Sequence, residues 1–132
     1  MKKIVKACAV AALCVPMMLH AADKKMTIAG IVFQEDQFMK TVLMGMKSVA
    51  DKNNVTLLTS NTSNQITKEV QIVNTYAARG VDAIAITYLD PAAASVPAVK
   101  AANDKGIKIV SFNNTLAADF PVSTVQSDNV LL

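Results

Sequence analysis

Apolar and polar positions follow two different periods along the chain from residue 26 onward. Short apolar runs rich in β-branched residues are typical of buried strands. Five such runs are present, at residues 26–33, 55–59, 81–87, 107–112 and 122–126. Between the first four runs, apolar residues recur at the three- and four-residue spacing of a helix face.

These helical stretches have recognisable ends. Asp36 is placed to cap the first helix, whose apolar face contains Phe38, Met39, Val42, Leu43, Met46, Val49 and Ala50. The second helix has its apolar face at Ile66, Val70, Val73 and Ala77, and Gly80 stands where a helix C-cap glycine belongs.

The start of the third helix has two interpretations. In one, Asp90 is the cap and Pro91 lies in the first turn; in the other, Ser95 is the cap and Pro97 lies in the first turn. Gly106 ends this helix in both. The resulting order β-α-β-α-β-α-β-β predicts the α/β class, with a doubly wound parallel sheet. Asp128 could cap one more helix, so we expect this lobe to be incomplete.

The basic excess of the chain lies in one terminal segment. The chain carries 13 Lys and Arg against 10 Asp and Glu, a formal net charge of +3, and the lysines among the first six residues account for that excess. Residues 7–19 carry no charge, and Ala21 and Ala22 follow. This layout predicts a secretory signal peptide over residues 1–22, cleaved after Ala21 or Ala22. A transmembrane anchor is disfavoured because a span needs about 20 apolar residues and Pro16 interrupts this run.

The rest of the chain has balanced charge and contains neither cysteine nor histidine, since all three such residues lie within residues 1–22. Balanced charge gives no support to nucleic-acid binding. Without these side chains the segment offers no thiol nucleophile, no Ser-His-Asp triad and no Cys or His metal site. Glu35 and Asp36 are adjacent acids, whereas paired catalytic carboxylates face one bond from two sides. The sequence predicts a protein that is not an enzyme and needs no cofactor or metal.

Three predicted loops lie at the edge where a ligand would bind. In open parallel sheets, ligands bind beyond the carboxyl ends of the strands, near the reversal of strand order. The loops at residues 34–39, 88–90 and 113–115 reach that edge. Their carboxylates and amides can pair with several hydroxyls, and their aromatic rings can cover a sugar face. For each of these polar residues, a helix cap or a solvated loop is the simpler alternative.

Residues 26–129 resemble the first lobe of bacterial periplasmic sugar-binding proteins of the ribose and glucose/galactose type. Five segments in order carry the resemblance, at residues 31–39, 79–86, 89–94, 101–113 and 127–129. The resemblance implies a type I periplasmic binding fold, with two lobes that close on the ligand by a hinge. It also implies capture of a sugar in the periplasm for the inner-membrane permease of an ABC importer.

The resemblance implies five sugar-binding residues. Asp36 would accept hydrogen bonds from sugar hydroxyls, and Phe38 would pack against the ring face. Met39 stands where the ribose branch has an aromatic residue, and Asn113 matches the hexose branch, so a hexose-like sugar is favoured over ribose. Asn114 replaces a basic residue found in both branches, which removes one charged contact.

The same resemblance implies how the chain is organised. Residues 23–132 would form the N-terminal lobe, ending at the crossover to a second lobe near Asp128, and the full-length protein would be a monomer. One lobe holds at most half of the site and should bind sugar weakly. A role as sugar-loaded partner of a chemoreceptor or sensor kinase remains open. The sensor domain of a transcription regulator is a weaker alternative, because such proteins carry a helix-turn-helix where this chain has its predicted signal peptide.

Overall fold

A computed structural model describes residues 24–90 and 94–126. Its strands form one parallel five-stranded sheet. They are β1 (Thr27–Val32), β2 (Thr56–Asn61), β3 (Ala83–Ile86), β4 (Lys108–Phe112) and β5 (Ser123–Val125). The helices between them are α1 (Gln37–Lys52), α2 (Ile66–Arg79) and α3 (Val96–Asp104). The predicted element order and the α/β class are confirmed. The predicted signal peptide and Asp128 lie outside the described residues.

The third helix follows the second of its two predicted starts. It begins at Val96 with Pro97 in its first turn, directly after Ser95. Ser95 makes no capping hydrogen bond through its side chain. Gly80 ends α2 in the left-handed conformation, with φ of +65°, as predicted for a C-cap glycine.

The strand order is β2-β1-β3-β4-β5. The chain moves outward from β1 to β2 and then returns to the other side of β1 for β3. The strand order therefore reverses between β1 and β3, where Ile31 pairs with Ile86. Their carboxyl ends lie at one edge of the sheet, which we call the carboxyl edge, and a doubly wound sheet binds its ligand beyond this edge.

The two faces of the sheet are covered unequally. Helices α2 and α3 pack on one face over a core that includes Ile31, Ile84 and Ile109. Helix α1 packs on the other face, where Met39 contacts a smaller cluster around Val32 and Phe112. Helices on both faces confirm the predicted doubly wound arrangement.

In the described part of the chain, helix α1 covers its own face of the sheet only in part. An apolar cleft of about 620 Å³ lies beside it, lined by residues that include Met46, Val49, Ala85 and Val110. Val49 is 61% exposed. Within residues 24–90 and 94–126, no helix has the length and hydrophobicity required to cross a membrane.

Candidate functional site

Asp36 lies at the carboxyl edge, between β1 and α1. Its carboxylate accepts a hydrogen bond from the backbone N–H of Met39 at 2.7 Å, which caps the helix. The side chain of Gln34 donates to its other oxygen. Asp36 is nevertheless exposed, and each carboxylate oxygen has a second lone pair. The capping bond thus fixes the carboxylate at the edge while leaving it able to accept further hydrogen bonds.

Phe38 and Met39 are adjacent in α1 but have opposite environments. Phe38 is 54% exposed, whereas Met39 is 1% exposed. Met39 packs beneath the edge with Val32 and Phe112. Of the two, only Phe38 presents an apolar surface that a ligand can reach without rearrangement of the core.

Asn113 directly follows β4 and is exposed. Its backbone has a φ of +65°, a left-handed conformation that asparagine tolerates better than most residues. Its N–H donates to the carbonyl of Val125 at 2.8 Å, which ties the loop to the end of β5. The sharp turn places an exposed amide at the carboxyl edge.

The side chain of Asn114 forms hydrogen bonds with the backbone of the loop that follows β3. Its Oδ1 accepts from the N–H of Tyr88 at 3.1 Å, and its Nδ2 donates to the carbonyl of Tyr88 at 2.7 Å. Asn114 is half-buried. Both ends of the amide therefore hold the loop that follows β3.

A second side chain holds the same loop. Glu69 is fully buried near the start of α2, and its Oε2 accepts from the N–H of Leu89 at 3.0 Å. This residue is not among the site residues predicted from the sequence. Its signal was present, because an acid three residues after Ile66 and four before Val73 lies on the apolar face of the helix.

Tyr88 is the aromatic residue of this loop, and it points into the core, with 1% of its surface exposed. Burial raises the pKa of its phenol to about 12; the nearby Ser111 hydroxyl opposes this shift and the charge of Glu69 adds to it. Tyr88 is thus a neutral core residue at ordinary pH.

The three exposed side chains flank the point where strand order reverses. Asp36 and Phe38 follow β1, Asn113 follows β4, and β3 lies between these strands. Neighbouring strands are about 4.8 Å apart, so the ends of β1 and β4 are about 10 Å apart. A ring the size of a monosaccharide fits across that distance. Among the described residues, no group of three His, Cys, Asp or Glu could hold a metal ion.

Comparison with known proteins shows which family the chain matches. Residues 30–132 match the family model for a periplasmic binding protein domain. The chain is 30% identical over 99 residues to the ABC transporter periplasmic-binding protein YphF of Escherichia coli (strain K12), which covers 74% of this chain and 30% of that protein.

Two solved structures of solute-binding proteins are also similar to this chain. The 5-methylthioribose transporter solute binding protein of Thermotoga lettingae, in complex with 5-methylthioribose, is 28% identical with a TM-score of 0.71, covering 80% of this chain and 33% of that one. An ABC transporter periplasmic solute binding protein of Actinobacillus succinogenes with bound D-allose is 25% identical with a TM-score of 0.66, covering 71% and 34%. The chain spans about a third of the length of these relatives.

Proposed function

The chain belongs to the family of periplasmic binding protein domains, and from that membership we propose that it supplies one wall of a sugar site in a solute-binding protein of an ABC importer. Family members of this kind bind substrates and are not enzymes. The observation that carries the proposal is the set of three exposed side chains, Asp36, Phe38 and Asn113, at the carboxyl edge where strand order reverses. A hexose-like sugar remains our choice over ribose.

Each of these side chains has a role suited to its chemistry. Asp36 accepts from two hydroxyls through the lone pairs that the helix cap leaves available. Phe38 covers the apolar face of the ring. Asn113 both donates and accepts. The two other residues named from sequence support the site from behind, since Met39 is buried and the amide of Asn114 is bonded to Tyr88.

We also propose how the whole protein is organised. Residues 1–22 direct export to the periplasm, and residues 23–132 form the N-terminal lobe up to its crossover. A second lobe completes the ligand contacts, and the closed form docks on the permease. The relatives, which are about three times longer than their match to this chain, support this division.

Titration of the full-length protein with a panel of pentoses and hexoses tests the proposal. Asp36→Ser keeps a capping hydroxyl but loses the carboxylate. We expect this variant to bind the best sugar at least about tenfold more weakly than the wild type, because a charged hydrogen-bond acceptor is lost. Asp51→Ser, at the other end of α1 where Asp51 is exposed and paired with Lys47, is the matched control and should bind like the wild type.

A second variant tests the proposed contact between Phe38 and the sugar ring. Phe38→Leu keeps an apolar side chain and removes the aromatic face, for which we expect a loss of several-fold, since ring contacts contribute about 0.5–1.5 kcal/mol beyond their area. Met44→Leu is the control, because Met44 is exposed on the same helix. Binding of no sugar by the wild type, or full affinity in Asp36→Ser, would contradict the proposed function.

A further inference from the structure

Gln126 is an exposed residue at the carboxyl edge, beside the proposed sugar site. It directly follows β5, as Asn113 directly follows β4. Parallel pairing sets Phe112 opposite Val125, so the two residues that come next leave the sheet side by side. The N–H of Asn113 donates to the carbonyl of Val125 at 2.8 Å, which holds the two strand ends together. Because neighbouring strands are about 4.8 Å apart, the side chain of Gln126 can reach the loop after β4.

The side chain of Gln126 is directed toward that loop. The hydroxyl of Thr115, which lies in the loop after β4, donates to Oε1 of Gln126 at 3.3 Å. Both residues are exposed. A primary amide that accepts through its oxygen still has two N–H donors on its nitrogen. The bond therefore draws the amide from β5 toward β4, one of the strands that flank the proposed sugar, and leaves these donors for a ligand.

Hydrogen-bond donors are scarce among the side chains of the proposed site. Asp36 can only accept while it is ionised, and Asn113 contributes a single amino group. The amino group of Asn114 is already used, since it donates to the carbonyl of Tyr88 at 2.7 Å. Every hydroxyl oxygen of a sugar accepts as well as donates, and a polar group that loses water without gaining a partner weakens binding. A further donor at this edge would therefore favour sugar binding.

We propose that Gln126 is a specificity-determining residue of the sugar site: its amino group donates to one hydroxyl oxygen of the bound sugar, and the Thr115 hydroxyl holds the amide in the orientation for that bond. This role rests on the proposed function. It extends the recognition surface from the ends of β1 and β4 to the end of β5. The site then selects sugars that place a hydroxyl group on the β5 side of the ring.

Titration of the full-length protein with its best sugar from the pentose and hexose panel, and with the monodeoxy analogues of that sugar, tests the contact. Gln126→Met keeps the length of the side chain and removes both polar atoms. We expect it to bind the best sugar about five- to tenfold more weakly than the wild type. The analogue that lacks the contacted hydroxyl should bind both proteins equally.

The control variant is Ser123→Ala, because Ser123 is exposed at the other end of β5; it should bind every sugar like the wild type. Wild-type affinity in Gln126→Met would overturn the contact. A loss in Gln126→Met that persists with every analogue would overturn it too, since the residue would then act without recognising a hydroxyl.

Gln126→Glu separates the donor from the rest of the side chain. It keeps the length and an acceptor but has no N–H group when ionised. We expect it to lose at least as much affinity as Gln126→Met at neutral pH. Full affinity in Gln126→Glu would refute the assignment of the amino group as the recognising atom.

A double-mutant cycle tests the orienting role of Thr115. Thr115→Val removes the hydroxyl at nearly constant size and should weaken the best sugar about two- to threefold. In the Gln126→Met background the same change should have no effect, because the amide that it orients is gone. Equal losses in both backgrounds would refute orientation through Gln126.

Asp36→Ser distinguishes failure of this inference from failure of the proposed function. If Asp36→Ser loses affinity while Gln126→Met and Gln126→Glu bind like the wild type, the sugar site stands and Gln126 is not part of it. If the wild type binds no sugar, or Asp36→Ser binds with full affinity, the proposed function fails and the role of Gln126 fails with it.

Discussion

Asn114 holds Tyr88 by both polar atoms of its backbone, across 26 residues of sequence: Oδ1 accepts from the N–H at 3.1 Å and Nδ2 donates to the carbonyl at 2.7 Å. The pair joins the loops that follow β3 and β4. Glu69 holds the next backbone N–H, that of Leu89. Two side chains from different elements therefore fix a loop that regular secondary structure leaves unpaired.

Asn114→Ala should destabilise the protein by about 1–3 kcal/mol, because the N–H and the carbonyl of Tyr88 lose their partners in a partly buried place. Urea unfolding of the full chain measures the change. Asn74→Ala is the control, since Asn74 is exposed in α2 and should change stability little. Equal midpoints for Asn114→Ala and the wild type would show that the two bonds contribute nothing.

The raised pKa of the Tyr88 phenol predicts that the folded protein loses stability at alkaline pH. Burial raises its pKa to about 12, whereas an unfolded tyrosine titrates near pH 10. Between about pH 10 and 12 the unfolded chain has lost the phenolic proton and the folded chain keeps it, so stability falls as pH rises through this window. At about 1.4 kcal/mol per pKa unit, the loss is at most about 3 kcal/mol.

Tyr88→Phe isolates this contribution from the lysines that titrate in the same range. The difference in unfolding free energy between wild type and variant should be constant below about pH 9.5 and should shift by up to about 3 kcal/mol against the wild type by about pH 12. Parallel curves over the whole range would contradict a buried neutral phenol.

Asp36 predicts a stability effect that is separate from ligand binding. Asp36→Ala removes the acceptor for the Met39 N–H and should cost about 1 kcal/mol, whereas Asp36→Ser should cost a few tenths at most. Thermal or urea unfolding without sugar measures both. If Asp36→Ala and Asp36→Ser unfold alike, the capping bond is not what stabilises the start of α1.

The apolar pattern predicted the fold because each helix buries one face and the strands lie between helices on both sides of the sheet. Buried Ile84 and Ile86 belong to an apolar run that is visible in the sequence, and the helix faces are visible as three- and four-residue spacing. The start of α3 was ambiguous, since two capping residues each precede a proline within two residues.

The site was less predictable, because its contacts are not periodic. Phe38 and Met39 are both apolar and adjacent, so the spacing alone could not say which one α1 would bury. Asn114 looked like a ligand residue, and its bonds to Tyr88 depend on the pairing of β3 with β4. Glu69 was visible only as an acid on an apolar helix face, a pattern that names no partner.

Two glycines predict opposite responses to the same substitution. Gly80 ends α2 with a φ of +65°, whereas Gly45 lies inside α1 with open space where a Cβ would be. Gly80→Ala places a Cβ in the left-handed region and should cost about 1 kcal/mol. Gly45→Ala improves helix propensity without a clash and should raise the free energy of unfolding by up to about 1 kcal/mol. Urea unfolding of the two variants measures both changes, and because the chemical change is identical, a shift of the same sign in both would show that backbone conformation is not what distinguishes these positions.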